Sequence, residues 1–336
     1  MSTYKIVLPL LLLPALMVAN LCLGSVGLSL EEIWNAFTGS ASEGDLATFI
    51  VYQSRLPQMV TALLAGCALA VSGLVMQTVF SNPLADPSIL GVSAGAGLGA
   101  AVALLLLGGS WASGGFFISG YLLTVFSAFV GAMAVIFLLL GCSALLRNSL
   151  LLLVTGVMIS FATSSIISLL SFFSTAEGVH SYVIWGLGDF SGITLDRLPA
   201  FATVLVPPLV GVLLMSKPLN ALLLGHDYAA NLGFHVGRIR TLLLFLTGLL
   251  TATVTALCGP ISFVGLAVPH IARLTLRTAN HRLLVPMTLV WGANVTLCCH
   301  LIAHLPGDRG ILPLNALTPM LGVPVVLFIL FRRRGI

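Results

Sequence analysis

The residues best suited to chemistry lie in "CCHLIAH" (298–304), where His300 and His304 stand four apart with Cys298 close by. On a helix that spacing puts both imidazoles on one face, and imidazole with thiolate ligates transition metals. A stable site needs three or four converging ligands held by outer partners, and the spacing guarantees none beyond these. The expectation is helix-end histidines and no metal. In "PHIAR", His270 and Arg273 lack a neighbouring nucleophile or carboxylate, so they are expected to steady a helix end rather than catalyse. Nucleotide hydrolysis needs a GxxxxGK[ST] loop, and neither Lys5 nor Lys217 lies in one. The six cysteines form no CxxC pair and no disulfide framework. No enzyme is expected on this chain.

The polar positions that remain must be placed by the elements around them. Of 336 residues, 58% are hydrophobic and 7% charged, far below the roughly 25% charged residues of a soluble domain. The bilayer must be the solvent, and apolar runs of about 20 residues indicate helices rather than barrel strands. Ten spans are expected, near 6–28, 56–80, 89–108, 117–141, 150–171, 198–216, 239–258, 261–276, 283–304 and 312–331, in an all-α, polytopic single domain, 1–336. The first run also fits a signal peptide, but it is longer than the usual apolar core and shows no obvious cleavage site, which favours a retained span. With both termini cytoplasmic, eleven of fourteen basic residues face in, and only Arg55, Arg197 and Arg309 face out.

Span 5 places Ser160, Ser164, Ser168 and Ser171 on one stripe of a helix. Such hydroxyls either pack helices and bond back to their own backbone, or line a polar path. "FSNPLADPSILGVSAGAGLGA" (80–100) interrupts spans 2 and 3 at the inner face. Its prolines stop the helix, while Asn82 and Asp86 are expected to cap its restart. Gly91, Gly95 and Gly99 then make a face that another helix can approach closely. This stretch is either a tight loop with a packing seam or an inner constriction. In the longest inner loop (217–238), Asp227 is expected to cap a short helix, Ala229 and Ala230 to favour it and Gly233 to end it.

Four stretches together, "RLPQMVTALLAGCALAVSGLVMQTVFSNPLADPSILGVSAGAGLGA", "GPISFVGLAVPHIARL", "NHRLLVP" and "LPLNALTPMLGVPVVLFIL", closely resemble the FecCD-type permeases. These serve ABC importers of ferric siderophores, haem and vitamin B12. The resemblance runs from about residue 50 to the C-terminus. It implies a type II importer fold of ten helices per subunit and a homodimer around a central path. It also implies two separate ATPase subunits, which use ATP and magnesium, and a periplasmic binding protein. No cofactor on this chain and no nucleic acid are implied.

Residue by residue, the resemblance places Ser160, Ser164, Ser168, Ser171, Asn315 and Thr318 on the path, and Asn82, Leu84 and Ser149 at the inner gate. Asp227, Ala229, Ala230, Leu232 and Gly233 correspond to the segment that docks on the ATPase. Arg55 stands where relatives pair an arginine with a glutamate of the binding protein. Two departures accompany it: Gln58 replaces a second arginine and His304 another, with Arg309 a candidate to compensate. An ion-coupled carrier is the rival, but all ten acids fall in or beside loops, leaving only His270 and His300 near span interiors. An oxidoreductase using the His/Cys cluster is a third reading.

Overall fold

The computed structural model describes residues 4–24, 26–39, 45–113, 116–145, 149–305 and 310–333. Six helical stretches are long and apolar enough to cross a membrane: Tyr4–Cys22, Leu46–Val79, Tyr121–Ser143, Leu150–Phe173, Val236–Cys258 and His281–Ala303. A seventh is the pair Leu198–Leu214 and Ser216–Leu223, bent by 53°. Three shorter apolar helices, Val92–Leu106, Val264–Leu276 and Leu314–Phe328, complete a set that falls on the ten expected segments.

In chain order, α1 is Tyr4–Cys22, α2 Leu30–Thr38 and α3 Leu46–Ile50; a π-helical turn, Val51–Arg55, leads into α4, Leu56–Val79. After α5, Val92–Ala101, a second π turn, Val102–Leu106, precedes an antiparallel hairpin of β1, Ser110–Ser113, and β2, Phe116–Ser119. Then come α6, Tyr121–Leu145, α7, Ser149–Phe173, α8, Ala176–Gly186, α9, Leu198–Leu214, and α10, Ser216–Leu223. The remainder is α11, His226–Asn231, α12, Val236–Cys258, α13, Val264–Leu276, α14, His281–Ala303, and α15, Leu314–Arg333.

The structure departs from the sequence reading in four places. The fourth span starts at Tyr121 because the residues before it pair as the hairpin. The connections at 29–55 and 172–197 contain the short helices α2, α3 and α8. Ser29 and Glu32 close a capping box on α2, and the Ser29 N–H and hydroxyl hold the Glu32 carboxylate below its usual range. Asn82 and Asp86 do not cap α5, which begins after Gly91, and Asp227 lies in the first turn of α11, behind Gly225 as N-cap.

The core is α4, most of whose residues are buried, whereas most of α1 and α7 is not. The small residues of α4 explain why. A Cβ added to Gly66 would lie 2.3 Å from Gly292 O, and one on Gly73 would lie 1.8 Å from Gly265 O, so α14 and α13 cross it at backbone contact. At the first crossing the Thr296 hydroxyl donates to Ala62 O at 2.7 Å. The expected glycine face of α5 is used similarly. Gly95 and Gly99 meet Gly131 and Ser127 of α6, while Gly91 meets Gly156 and Ser160 of α7.

Candidate functional site

The 80–91 loop between α4 and α5 closes its polar groups on itself. Asn82 Oδ1 accepts the Leu84 N–H at 2.9 Å, and Asp86 Oδ1 accepts the Ser88 N–H at 2.9 Å and its hydroxyl at 2.5 Å. These are Asx turns, in which a short side chain substitutes for a backbone acceptor. Asp86 is buried, which raises its carboxyl above the ordinary range against the opposing effect of the Ser88 bonds. Its Oδ2 lies 2.3 Å from where a Cβ on Gly265 would stand, so a side chain at 265 would have to displace the carboxylate. The loop is also held by His270, whose Nε2 is 3.0 Å from Pro83 O. Leu84 remains 41% exposed. Ser149 opens α7; the contact of α7 with this loop lies further along, where Gly156 abuts the Leu90 backbone and Ser160 approaches Gly91.

Ser160 and Ser168 donate their hydroxyls to the carbonyls of Gly156 and Ser164, both at 3.0 Å. Both hydroxyls therefore bond back to their own helix. Ser164 and Ser168 are exposed on the single chain, while Ser160 and Ser171 are half-buried. Thr163, one residue off the stripe, is buried. Of the proposed companions, Asn315 is half-buried and tied in three directions. Its Oδ1 accepts from the Ser262 hydroxyl at 3.0 Å, and its Nδ2 donates to Gly186 O at 3.2 Å. Its N–H donates to Leu187 O at 3.0 Å, so it pins the start of α15 to the end of α8. Thr318 is buried and bonds to Leu314 O. If the stripe faces water in the assembled protein, cysteines at 164 and 168 in a cysteine-free background will react with charged thiol reagents, and one at 163 will not. Equal labelling at all three would remove the stripe from the path.

At the same end of the bundle as the loop, α10 and α11 form a surface ridge. Ala229 is buried, whereas Asp227, Ala230 and Leu232 are exposed, as is Tyr228. Gly233 ends α11 in the left-handed region at φ +85°, with its N–H bonded to Ala230 O at 2.9 Å. A groove of about 350 Å³ runs between Lys217, Leu224, Tyr228, Leu232 and Arg282. At this end lie polar contacts whose partners the sequence reading did not pair. Asn220 of α10 bonds to Asn280 and His281 at the start of α14, and Gln77 of α4 accepts from Arg273 of α13 at 2.5 Å. The "NHRLLVP" stretch carried that signal, but Asn220 is 61 residues from His281.

At the opposite end, Arg55 is 7% exposed rather than projecting. Its guanidinium donates to the carbonyls of Leu21 and Val26, which ties the π turn before α4 to the end of α1. Gln58 donates to the Ser54 hydroxyl at 3.2 Å. Both residues line a cavity of about 290 Å³ with Asn20, His300 and His304. The Asn20 amide donates to Leu16 O and Leu297 O, so its oxygen faces His300 Nδ1, 2.7 Å away, and that nitrogen is the donor. His304 Nδ1 donates to His300 O at 2.8 Å. Cys298 is half-buried, and among the described residues no three His, Cys, Asp or Glu side chains converge on a metal position. Arg309 lies outside the described residues.

This geometry can be set beside known proteins. Residues 11–332 match the FecCD transport family. The chain is 36% identical over 331 residues, 98% of its length and 93% of the relative's, to the vitamin B12 import system permease protein BtuC of Klebsiella pneumoniae subsp. pneumoniae. It is 36% identical over 330 residues to the protein of that name from Shigella boydii serotype 18, covering 97% of this chain and 94% of that one. Among solved structures, a metal-chelate type ABC transporter in an inward-facing conformation superposes with a TM-score of 0.84 at 29% identity, covering 96% of this chain and 97% of that one. A match over nearly every span, with the fold to go with it, means that this multi-pass membrane protein belongs to the FecCD transport family.

Proposed function

We propose that the chain is the permease subunit of an ABC importer that moves a metal chelate across the bacterial inner membrane, with a corrinoid such as vitamin B12 the first candidate and haem or a ferric siderophore next. Two copies would enclose the path, two ATPase subunits would hydrolyse ATP with magnesium, and a periplasmic protein would deliver the substrate. Both termini would be cytoplasmic. The observation that carries this reading is the pairing, at one end of the bundle, of an exposed ridge with a loop plugged between helices. The ridge at Asp227–Gly233 offers Ala230 and Leu232 to a partner's groove, and the 80–91 loop meets Ser160 where the serine stripe begins. An uncharged, hydroxyl-bearing wall suits release of a bulky ligand already delivered by another protein.

Ala230→Asp tests the docking. A carboxylate carried into a protein groove loses its hydration without gaining a partner. Uptake of radiolabelled cyanocobalamin, haem or ferric siderophore, whichever the wild type takes up, should fall at least about tenfold at unchanged membrane level, about 1.4 kcal/mol of lost association. Full uptake with the ATPase still bound would remove the ridge from the interface. Uptake that persists after loss of every ATPase partner would favour an ion-coupled carrier instead.

A further inference from the structure

The ridge and the loop are joined by a polar chain that runs from the surface to a buried histidine. Asn220 on α10 is oriented by its Nδ2, which donates to Asn280 Oδ1 at 2.9 Å. Its Oδ1 therefore faces His281 and accepts twice, from the His281 backbone N–H at 2.8 Å and from ring Nδ1 at 3.0 Å. That fixes Nδ1 as a donor. The far side of the ring, Nε2, stands 2.9 Å from the Thr78 hydroxyl in the last turn of α4. His281 is 1% exposed and its contact with Thr78 is buried, while the Asn220–Asn280 bond at the other end of the bridge lies at the surface. Thr78 and its neighbour then begin the loop: Thr78 O accepts the Ser81 N–H at 3.2 Å, and Gln77 O accepts the Asn82 N–H at 3.1 Å.

Two features make this more than a satisfied core contact. The 53° break between α9 and α10 separates α10 mechanically from the span that precedes it. Beyond the bend α10 packs directly on α4 and α14 through buried Leu219 and Leu222, and the polar tie adds a route that ends at the loop. A hydrogen-bonded chain is also directional, unlike apolar packing, and here its central ring is buried, so it can pass on displacement as well as proximity. We infer that His281 is a positioning residue that transmits displacement of the α10–α11 ridge to the 80–91 loop, through Asn220 on one side and Thr78 on the other. The inference rests on the reading of the ridge as the ATPase-docking surface.

The ring's two nitrogens can be tested separately. His281→Asn leaves an amide N–H near the position of Nδ1, preserving the bond to Asn220 and losing Thr78. His281→Gln reaches the position of Nε2, preserving Thr78 and losing Asn220. In complex with its ATPase and reconstituted in liposomes, each variant should hydrolyse ATP at close to the wild-type rate. Uptake should nevertheless fall by roughly tenfold, within the usual range for coupling between two sites. The readout is ATP consumed per substrate moved, which should rise correspondingly, and also in Thr78→Val but not in Thr78→Ser. A purely structural role would lower hydrolysis and uptake together, in step with the amount of folded complex, and that result overturns the inference. So would a wild-type ratio in both His281 variants. If wild-type uptake proves independent of the ATPase, the importer reading itself fails, and the relay with it; the wild-type measurement separates the two failures.

Discussion

Replacing Gly73 by alanine removes most of the folded protein from the membrane. The added Cβ would lie 1.8, 2.3 and 2.5 Å from the O, C and Cα atoms of Gly265, all backbone, so no rotamer change relieves the overlap. The helices must separate, and the crossing of α4 with α13 is also where Asp86 packs against Gly265. Overpacking of a core typically costs about 1–3 kcal/mol, and a clash between two backbones belongs at or above the top of that range. Gly141→Ala is the matched control, since its new methyl meets nothing within 4 Å. Thermal unfolding in detergent should show a large drop for Gly73→Ala and none for Gly141→Ala. Equal melting of the two would mean that the crossing opens freely and that α4 is not the fixed axis described above.

Arg55→Glu should damage the fold before it damages recognition. The arginine is buried, and its guanidinium satisfies the carbonyls of Leu21 and Val26. A carboxylate there removes two charge-assisted bonds and points like partial charges at each other. Hydrogen bonds to charged groups contribute about 1.5–3 kcal/mol each, so a loss on the order of 3 kcal/mol or more is expected. Arg55→Lys, which keeps the charge but loses the planar fork, should fall between the two. The measurement pairs thermal unfolding with affinity for the binding protein at low salt, where screening is least. Normal unfolding with lost affinity would show that Arg55 leaves its pocket to meet a glutamate on the partner, as the family resemblance implies.

The ten apolar segments were legible because each is an apolar run bounded by proline, glycine or charge, although among the described residues only six, or seven with the bent pair, are long enough to cross a membrane. What escaped was short or depended on distant residues. The hairpin strands at 110–113 and 116–119 and the π turns at 51–55 and 102–106 are four or five residues each, too brief to leave a periodicity. Gly91, Gly95 and Gly99 announced close approach, but only the fold shows that their partners are Gly156 and Ser160, Gly131, and Ser127 respectively. Asn82 and Asp86 have the chemistry of caps, and the backbone uses them two residues on rather than at the next helix. Arg55 is placed on the outer face by charge and given a docking role by the family resemblance; neither shows its burial, because the carbonyls that hold it belong to residues 29 and 34 positions away. For the serines of α7, back-bonding was one of the two alternatives drawn from sequence, and their placement along a path still rests on the labelling test.

The 80–91 loop carries its own hydrogen bonds, in the turns closed by Asn82 and Asp86. A segment built in that way can swing as one block, without unwinding its backbone or trading many bonds with solvent. The resistance to its motion then sits at its rim, in contacts such as that of His270 with Pro83 O. Displacements of this kind take on the order of microseconds to milliseconds, whereas local refolding can take far longer. In the proposed relay the loop would follow the ridge almost without delay, and the pace of transport would be set by whatever moves the ridge.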